Sequence, residues 1–150
     1  KSYIMELQVR KLLESDWEFL PDWWKAYKIP AWPRDFLPGS FKVGETQEEK
    51  RQGLGGFMVC KGEDPIAAIW LWMTNSKVAF PAVVISDKTY RDTDRSDALQ
   101  LLIDFTTDFA EDMGYKYAFS WAKKGILLEK FEETGYYKDE TPSYELIMKF

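Results

Sequence analysis

The sequence contains no histidine and a single cysteine, Cys60. The first absence removes a serine–histidine triad, a histidine-based zinc site and a histidine general base. The second removes any disulfide framework and fits a reducing, cytoplasmic setting. In its apolar context Cys60 itself reads as a core residue and not as a nucleophile. No run of about 18 apolar residues occurs, so no membrane span is expected. No secretory signal is visible, and the chain starts at Lys1 without a methionine, which leaves its natural start open. Basic residues are in the minority, 20 against 25 acidic ones, for a net charge of −5. That global field works against nucleic acid as a partner, although the many aromatic rings could stack on bases. No metal site is expected.

What is present suits one globular domain over residues 1–150. The chain is 45% hydrophobic and 30% charged, with aromatics at 17% and seven tryptophans. That is long enough for a sizeable core.

Residues 78–114 organise the rest. Val78 to Ile85 is apolar on both faces, as in a strand buried on both sides. After Tyr90-Arg91, Ala98, Leu102, Phe105, Phe109 and Met113 recur at three- and four-residue spacing, which predicts a helix over about 94–113 with Gly114 just past its end. A buried strand feeding a helix N-terminus offers unpaired N–H groups and partial positive charge, a place for a phosphate.

The flanking chain adds the other elements. Residues 3–10 read as a first strand. Ser15-Asp16-Trp17-Glu18 is a candidate capping box for a helix, which Pro21 breaks before a second piece through Tyr27. Residues 29–40 carry three prolines and are irregular. Residues 41–52 are polar all round and could form one or two helical turns. Residues 55–61, 66–73 and 77–86 form an antiparallel meander, and Pro81 marks a bulge or a place where pairing stops. Residues 115–122 alternate as a strand parallel to 77–86. A short helix over 124–134 ends at Gly135, and Tyr144, Leu146, Met148 and Phe150 alternate in a final strand.

Strand, Tyr-Arg turn and long helix, inside the order β-α-α-β-β-β-α-β-α-β, resemble the GNAT superfamily of acyl-CoA-dependent N-acyltransferases. The turn resembles most that of small phage-encoded GNAT-like proteins, which carry a similar Tyr-Arg-x-x-Asp-Arg. The resemblance implies an α/β (α+β) fold with a mixed central sheet, and transfer of an acyl group from acetyl-CoA, as co-substrate, to an amine on a small molecule or protein. It implies that Val84, Ile85 and Ser86 on the bulged strand, Arg91, Thr93, Asp94, Arg95 and Ser96 in the turn, and Lys124 bind the cofactor. It also implies that an amide near Val83 to Ile85 polarises the thioester carbonyl.

Two departures from the family pattern stand out. Asp94 occupies the position of the first motif glycine and Ser96 that of the Gly/Ala. Phe131 occupies the position of the usual tyrosine acid, four residues before Gly135-Tyr136, and Phe cannot donate a proton. A carboxylate about 5 Å from a phosphate charge costs roughly 3 kcal/mol at an effective dielectric near 20. Asp94 can therefore be read instead as the cap of its own helix, Phe131 as core and Lys124 as solvated. Trp24, Trp32 and Arg34 are candidates for the acceptor side, against a reading of this aromatic run as helix packing. The competing function is a non-catalytic GNAT-fold protein-interaction module.

Overall fold

A computed structural model describes residues 6–39 and 53–150. Five strands lie in the order β1-β2-β3-β4-β5: β1 Leu7–Leu13, β2 Gly53–Lys61, β3 Asp64–Met73, β4 Val78–Ser86 and β5 Tyr117–Ala118. The first four pair antiparallel and β5 joins β4 in parallel. The helices are α1 Leu20–Ala26, α2 Arg95–Asp112 and α3 Ile126–Thr134. This is a mixed α+β fold around a mixed sheet, as the element order predicts.

The sheet is covered on both faces, which is why β3 is apolar at successive positions. On one face Phe57, Val59, Ile69 and Leu71 meet Leu99, Leu102 and Ile103 of α2 and Phe131 of α3. On the other, Met58, Cys60, Ala68, Trp70 and Ile85 meet Leu20, Trp23 and Trp24 of α1. Trp24 stacks on Trp70 with ring centroids 5.6 Å apart. Cys60 is buried, so its core assignment stands. Among the described residues no helix is long and apolar enough to cross a membrane.

The hairpin from β2 to β3 is a two-residue loop, Gly62-Glu63, between the paired Lys61 and Asp64. Gly62 takes φ 61°, the left-handed conformation such tight hairpins require. Gly56 answers a different need. A Cβ there would collide with the Ile69 carbonyl oxygen and lie 2.8 Å from Leu12 Cδ1.

Several expectations are corrected. The first strand runs from Leu7 to Leu13, later than 3–10, of which residues 3–5 lie outside the described residues. Ser15 opens no capping box. A 3-10 segment, Glu14–Glu18, follows β1, and Asp16 accepts the Leu13 N–H at 2.8 Å while holding Arg10 with both oxygens. The expected break is present: the 3-10 segment ends at Glu18 and the second piece, α1, runs to its cap at Tyr27, with Pro21 in its first turn, where the missing N–H costs no bond. The buried stripe of α2 is Ala98, Leu99, Leu102, Ile103, Thr106 and Ala110. Phe105, placed in that stripe by its spacing, is 39% exposed and reaches the core edge-on against Phe57. The expected strand over 115–122 pairs only at Tyr117–Ala118, and no strand forms at 144–150. The helical turns expected over 41–52 lie outside the described residues.

Candidate functional site

The site begins where β4 stops being a regular strand. Ala68 pairs with Ile85, but Trp70 pairs with Ala82, so β4 carries one extra residue across this interval. The surplus sits at Val83–Val84, where Val83 has φ 62°. A β-branched residue is an outlier there, and such strain persists only where the surroundings enforce it. The extra residue of a bulge is left out of the ladder.

Pro81 does the second of the two things proposed for it. The bulge lies two residues beyond, and Pro81 itself stays paired opposite Leu71. Its effect is on the β5 side. Phe119 donates its N–H to the Ala79 carbonyl at 2.9 Å, and in a parallel ladder the next donor from β4 is residue 81. Proline has none. Pairing between β4 and β5 ends at Ala79 and Ala118, ahead of the bulge. Ser120 lies just past that point with its hydroxyl buried and without a hydrogen-bond partner.

The loop after β4 is built by Arg95 and Tyr90. Arg95 donates to the carbonyls of Asp87 at 2.7 Å and Tyr90 at 3.1 Å, to Ser86 Oγ at 2.6 Å and to Tyr27 Oη at 2.9 Å. Its guanidinium is thus held inside the loop, and Ser86 and Tyr27 also bond one another at 2.9 Å. Asp87 shapes the turn by accepting the Thr89 N–H and hydroxyl. Arg91 stands exposed at the loop surface, beside an open cavity of about 490 Å³ that Asp64, Asp87, Tyr90 and Asp92 also line.

Asp94 does not cap α2. Its side chain makes no capping hydrogen bond to that N-terminus. The Asp94 carboxylate instead accepts from Tyr90 Oη at 2.6 Å and from Lys61 Nζ at 3.0 Å. Those two bonds, Tyr90 first and then Lys61, hold the Asp94 carboxyl below the usual carboxylate range. Burial, and then the bond to Asp94, push the Tyr90 phenol up. Lys61, also 3.4 Å from Asp92, is raised chiefly by its bond to Asp94. An ammonium from the far end of β2 therefore offsets the acidic turn. Nothing local in 91–96 announces it; only the hairpin register brings Lys61 there. Tyr27 was equally invisible as part of this loop.

The other expected residues are scattered. Thr93 and Ser96 are exposed on the turn, and Lys124 is exposed one residue before the Gly125 that starts α3. Phe131 is 3% exposed and meets Tyr136 edge-on at 5.1 Å, while Tyr136 Oη is bound to Thr107 at 2.8 Å. Trp24 is core. Arg34 bonds Glu14 and lies over the Trp17 ring at 4.8 Å. Trp32 stacks on Phe36 at 4.4 Å, and Phe36, Trp72 and Trp121 continue as neighbouring rings to the segment beyond β5. Among the described residues no cluster of acidic or cysteine side chains could hold a metal ion.

No protein-family model and no curated protein sequence matches this chain. Solved structures do. An aminoglycoside acetyltransferase from an uncultured soil metagenomic sample, solved with sisomicin, superimposes with TM-score 0.58 at 14% identity over 95% of this chain and 97% of that one. An acetyltransferase of Trypanosoma brucei gives TM-score 0.58 at 14% identity over 95% and 100%. The N-acetylglutamate synthase of Neisseria gonorrhoeae, complexed with coenzyme A and N-acetyl-glutamate, gives 0.58 at 12% identity over 90% of this chain and 28% of that one. The chain has the GNAT acetyltransferase fold.

Proposed function

We propose that the protein is an acyl-CoA-dependent N-acyltransferase that passes an acyl group, acetyl in the simplest case, to an amine. The observation that carries this reading is the Val83 bulge beside the point where β4 and β5 part. A strained bulge next to the end of a ladder has no evident use in holding the fold together. It does release backbone donors from the ladder, and these suit a carbonyl oxygen that gains negative charge.

The donor set fits the cofactor. The start of the 18-residue α2, with the N–H groups of Thr93 and Ser96 and the exposed Arg91, suits a pyrophosphate. Lys61 offsets Asp94, which lowers the repulsion those carboxylates would exert. Arg95 acts indirectly by fixing the loop, and Ser86 with it. Val84 and Ile85 contribute backbone, and Lys124 stands near the start of α3. Bound acyl-CoA would supply the activated acyl carbonyl. The coenzyme A held by the N-acetylglutamate synthase supports this choice of cofactor.

Phe131 provides no proton, and Tyr136 is engaged with Thr107. Neither would therefore protonate a leaving thiolate; the proton given up by the acceptor amine would balance the one the thiolate takes, by exchange through solvent. On the acceptor side Trp32, with Phe36 and Trp72, offers ring faces to a small-molecule or protein amine. Isothermal titration with acetyl-CoA and with CoA tests the reading. Saturable heat and thermal stabilisation are expected; no heat and no shift at millimolar ligand would leave only the fold.

A further inference from the structure

Among the described residues three buried side-chain polar atoms have no hydrogen-bond partner: Trp70 Nε1, Gln100 Oε1 and Ser120 Oγ. An unpaired group of this kind gives up its hydration and gains nothing, so each one calls for a reason. Trp70 lies within the sheet, stacked on Trp24. Gln100 is already tied through its amide nitrogen to Asp104, the Lys130 carbonyl and Thr134. Ser120 differs from both. It lies at the edge of the sheet, just after the last paired residues of β4 and β5.

The direction of its side chain follows from its neighbours. Ala118 pairs with Ala79, and the Phe119 N–H still reaches the Ala79 carbonyl. The Phe119 ring lies 5.7 Å from Phe80 and the Trp121 ring 6.0 Å from Trp72. Phe80 and Trp72 are paired, and Trp72 packs on the α1 side of the sheet. Ala79 and Ala122 pack on the other side, in the cluster that holds α2 and Phe131. Side chains alternate along an extended chain, so Ser120, between Phe119 and Trp121, points to that second side. Two residues past Ala118, it stands level with Pro81, two residues past Ala79. Val83, at the bulge, follows two residues later along β4. Two strand residues span about 7 Å, a distance that one thioester bridges when each of its ends accepts a hydrogen bond.

We propose that Ser120 is a catalytic residue: its hydroxyl donates a hydrogen bond to the sulfur that leaves the acyl group. The inference rests on the acyl transfer proposed above. As the amine nitrogen bonds to the acyl carbon, the carbon–sulfur bond breaks and its electron pair passes to sulfur. Ser120 stabilises that charge by a charge-assisted bond. It keeps its own proton, because a thiol is much the stronger acid of the two. The proton that the sulfur takes is balanced by the one the amine gives up, exchanged through solvent. Phe131, on the same side of the sheet, has no such hydrogen to offer.

Titration of the unaltered protein and of Ser120→Ala with CoA and with desulfo-CoA, on either side of the free thiol pKa of about 8.5, tests this. A donor at the sulfur favours the thiolate, so the bound thiol should ionise below its free pKa, as read from the ultraviolet thiolate band. CoA should therefore bind roughly tenfold tighter above the free thiol pKa than below the bound one, and desulfo-CoA equally at both. Ser120→Ala should abolish that gain and leave the desulfo-CoA affinity as it is. Without ligand, the same variant should keep or raise the melting temperature, since it removes an unpaired buried hydroxyl. A pH dependence that is missing from the unaltered protein, or that survives Ser120→Ala, overturns the assignment and leaves the acyltransferase reading standing. So does a clear loss of stability in the ligand-free variant, which would give the hydroxyl a structural partner. No binding of either ligand at millimolar concentration overturns both.

Discussion

Tyr90 Oη donates a 2.6 Å hydrogen bond to Asp94 Oδ1, four residues ahead at the mouth of α2. The same carboxylate also holds Lys61 at 3.0 Å and makes no capping bond to the helix.

This arrangement sets a pH dependence. Asp94 has its folded pKa lowered, by Tyr90 first and Lys61 second. Its stabilising contribution is complete above the unfolded carboxylate pKa of about 3.9 and is lost as pH falls through the depressed folded value. Asp94→Asn should therefore flatten the acid limb of a stability-versus-pH curve followed by circular dichroism. Tyr90 is shifted the other way, upward by burial and by Asp94. Its contribution is present below the unfolded tyrosine pKa of about 10 and fades only above it. Ultraviolet titration of the protein against Tyr90→Phe should show that the substitution removes one late-ionising phenol.

The two arginines of the turn should separate cleanly. Arg91 is exposed on the turn, so Arg91→Ala should leave the melting temperature unchanged. It should weaken CoA binding roughly ten- to a hundredfold by titration calorimetry, the worth of one charge-assisted hydrogen bond of about 1.5–3 kcal/mol.

Arg95→Ala should instead lower stability. The substitution strands the Asp87 and Tyr90 carbonyls and the Ser86 and Tyr27 hydroxyls that Arg95 joins. A loss of about 2–3 kcal/mol by urea unfolding is expected. Arg95→Lys should not restore it, because one ammonium cannot reproduce a planar fork.

In the core, Trp24→Ala should cost about 3–5 kcal/mol, since the ring is 1% exposed and stacked on Trp70. Gly56→Ala, adding only a methyl, should also destabilise the protein in the same denaturation assay, because that methyl meets the Ile69 carbonyl.

The order of the strands and the long helix were readable because periodicity reports burial directly. Residues 66–73 are apolar on both faces and do form the sandwiched β3. The errors arise where a residue's partner is distant in sequence. The spacing of Phe105 fits the α2 stripe, but Ile103 and Thr106 face the sheet more squarely, and only packing decides between adjacent settings of a helix. Ser15 has the right residue type for a cap, yet the N-cap position falls on Leu13, and Asp16, held by Arg10, reaches back to the Leu13 N–H. The alternation at 144–150 describes a chain suited to a sheet, yet no strand forms there, because alternation alone supplies no partner. In the turn, Arg91 to Ser96 were legible as a unit, but the role of Asp94 depends on Lys61, which arrives from the other end of a hairpin.

Pro81 makes the end of the β4–β5 ladder a covalent property of the chain. Because the missing hydrogen belongs to the backbone nitrogen, no change of pH or ionic strength can restore that bond. A valine at position 81 would supply the one lacking hydrogen and let the ladder run on toward Trp121.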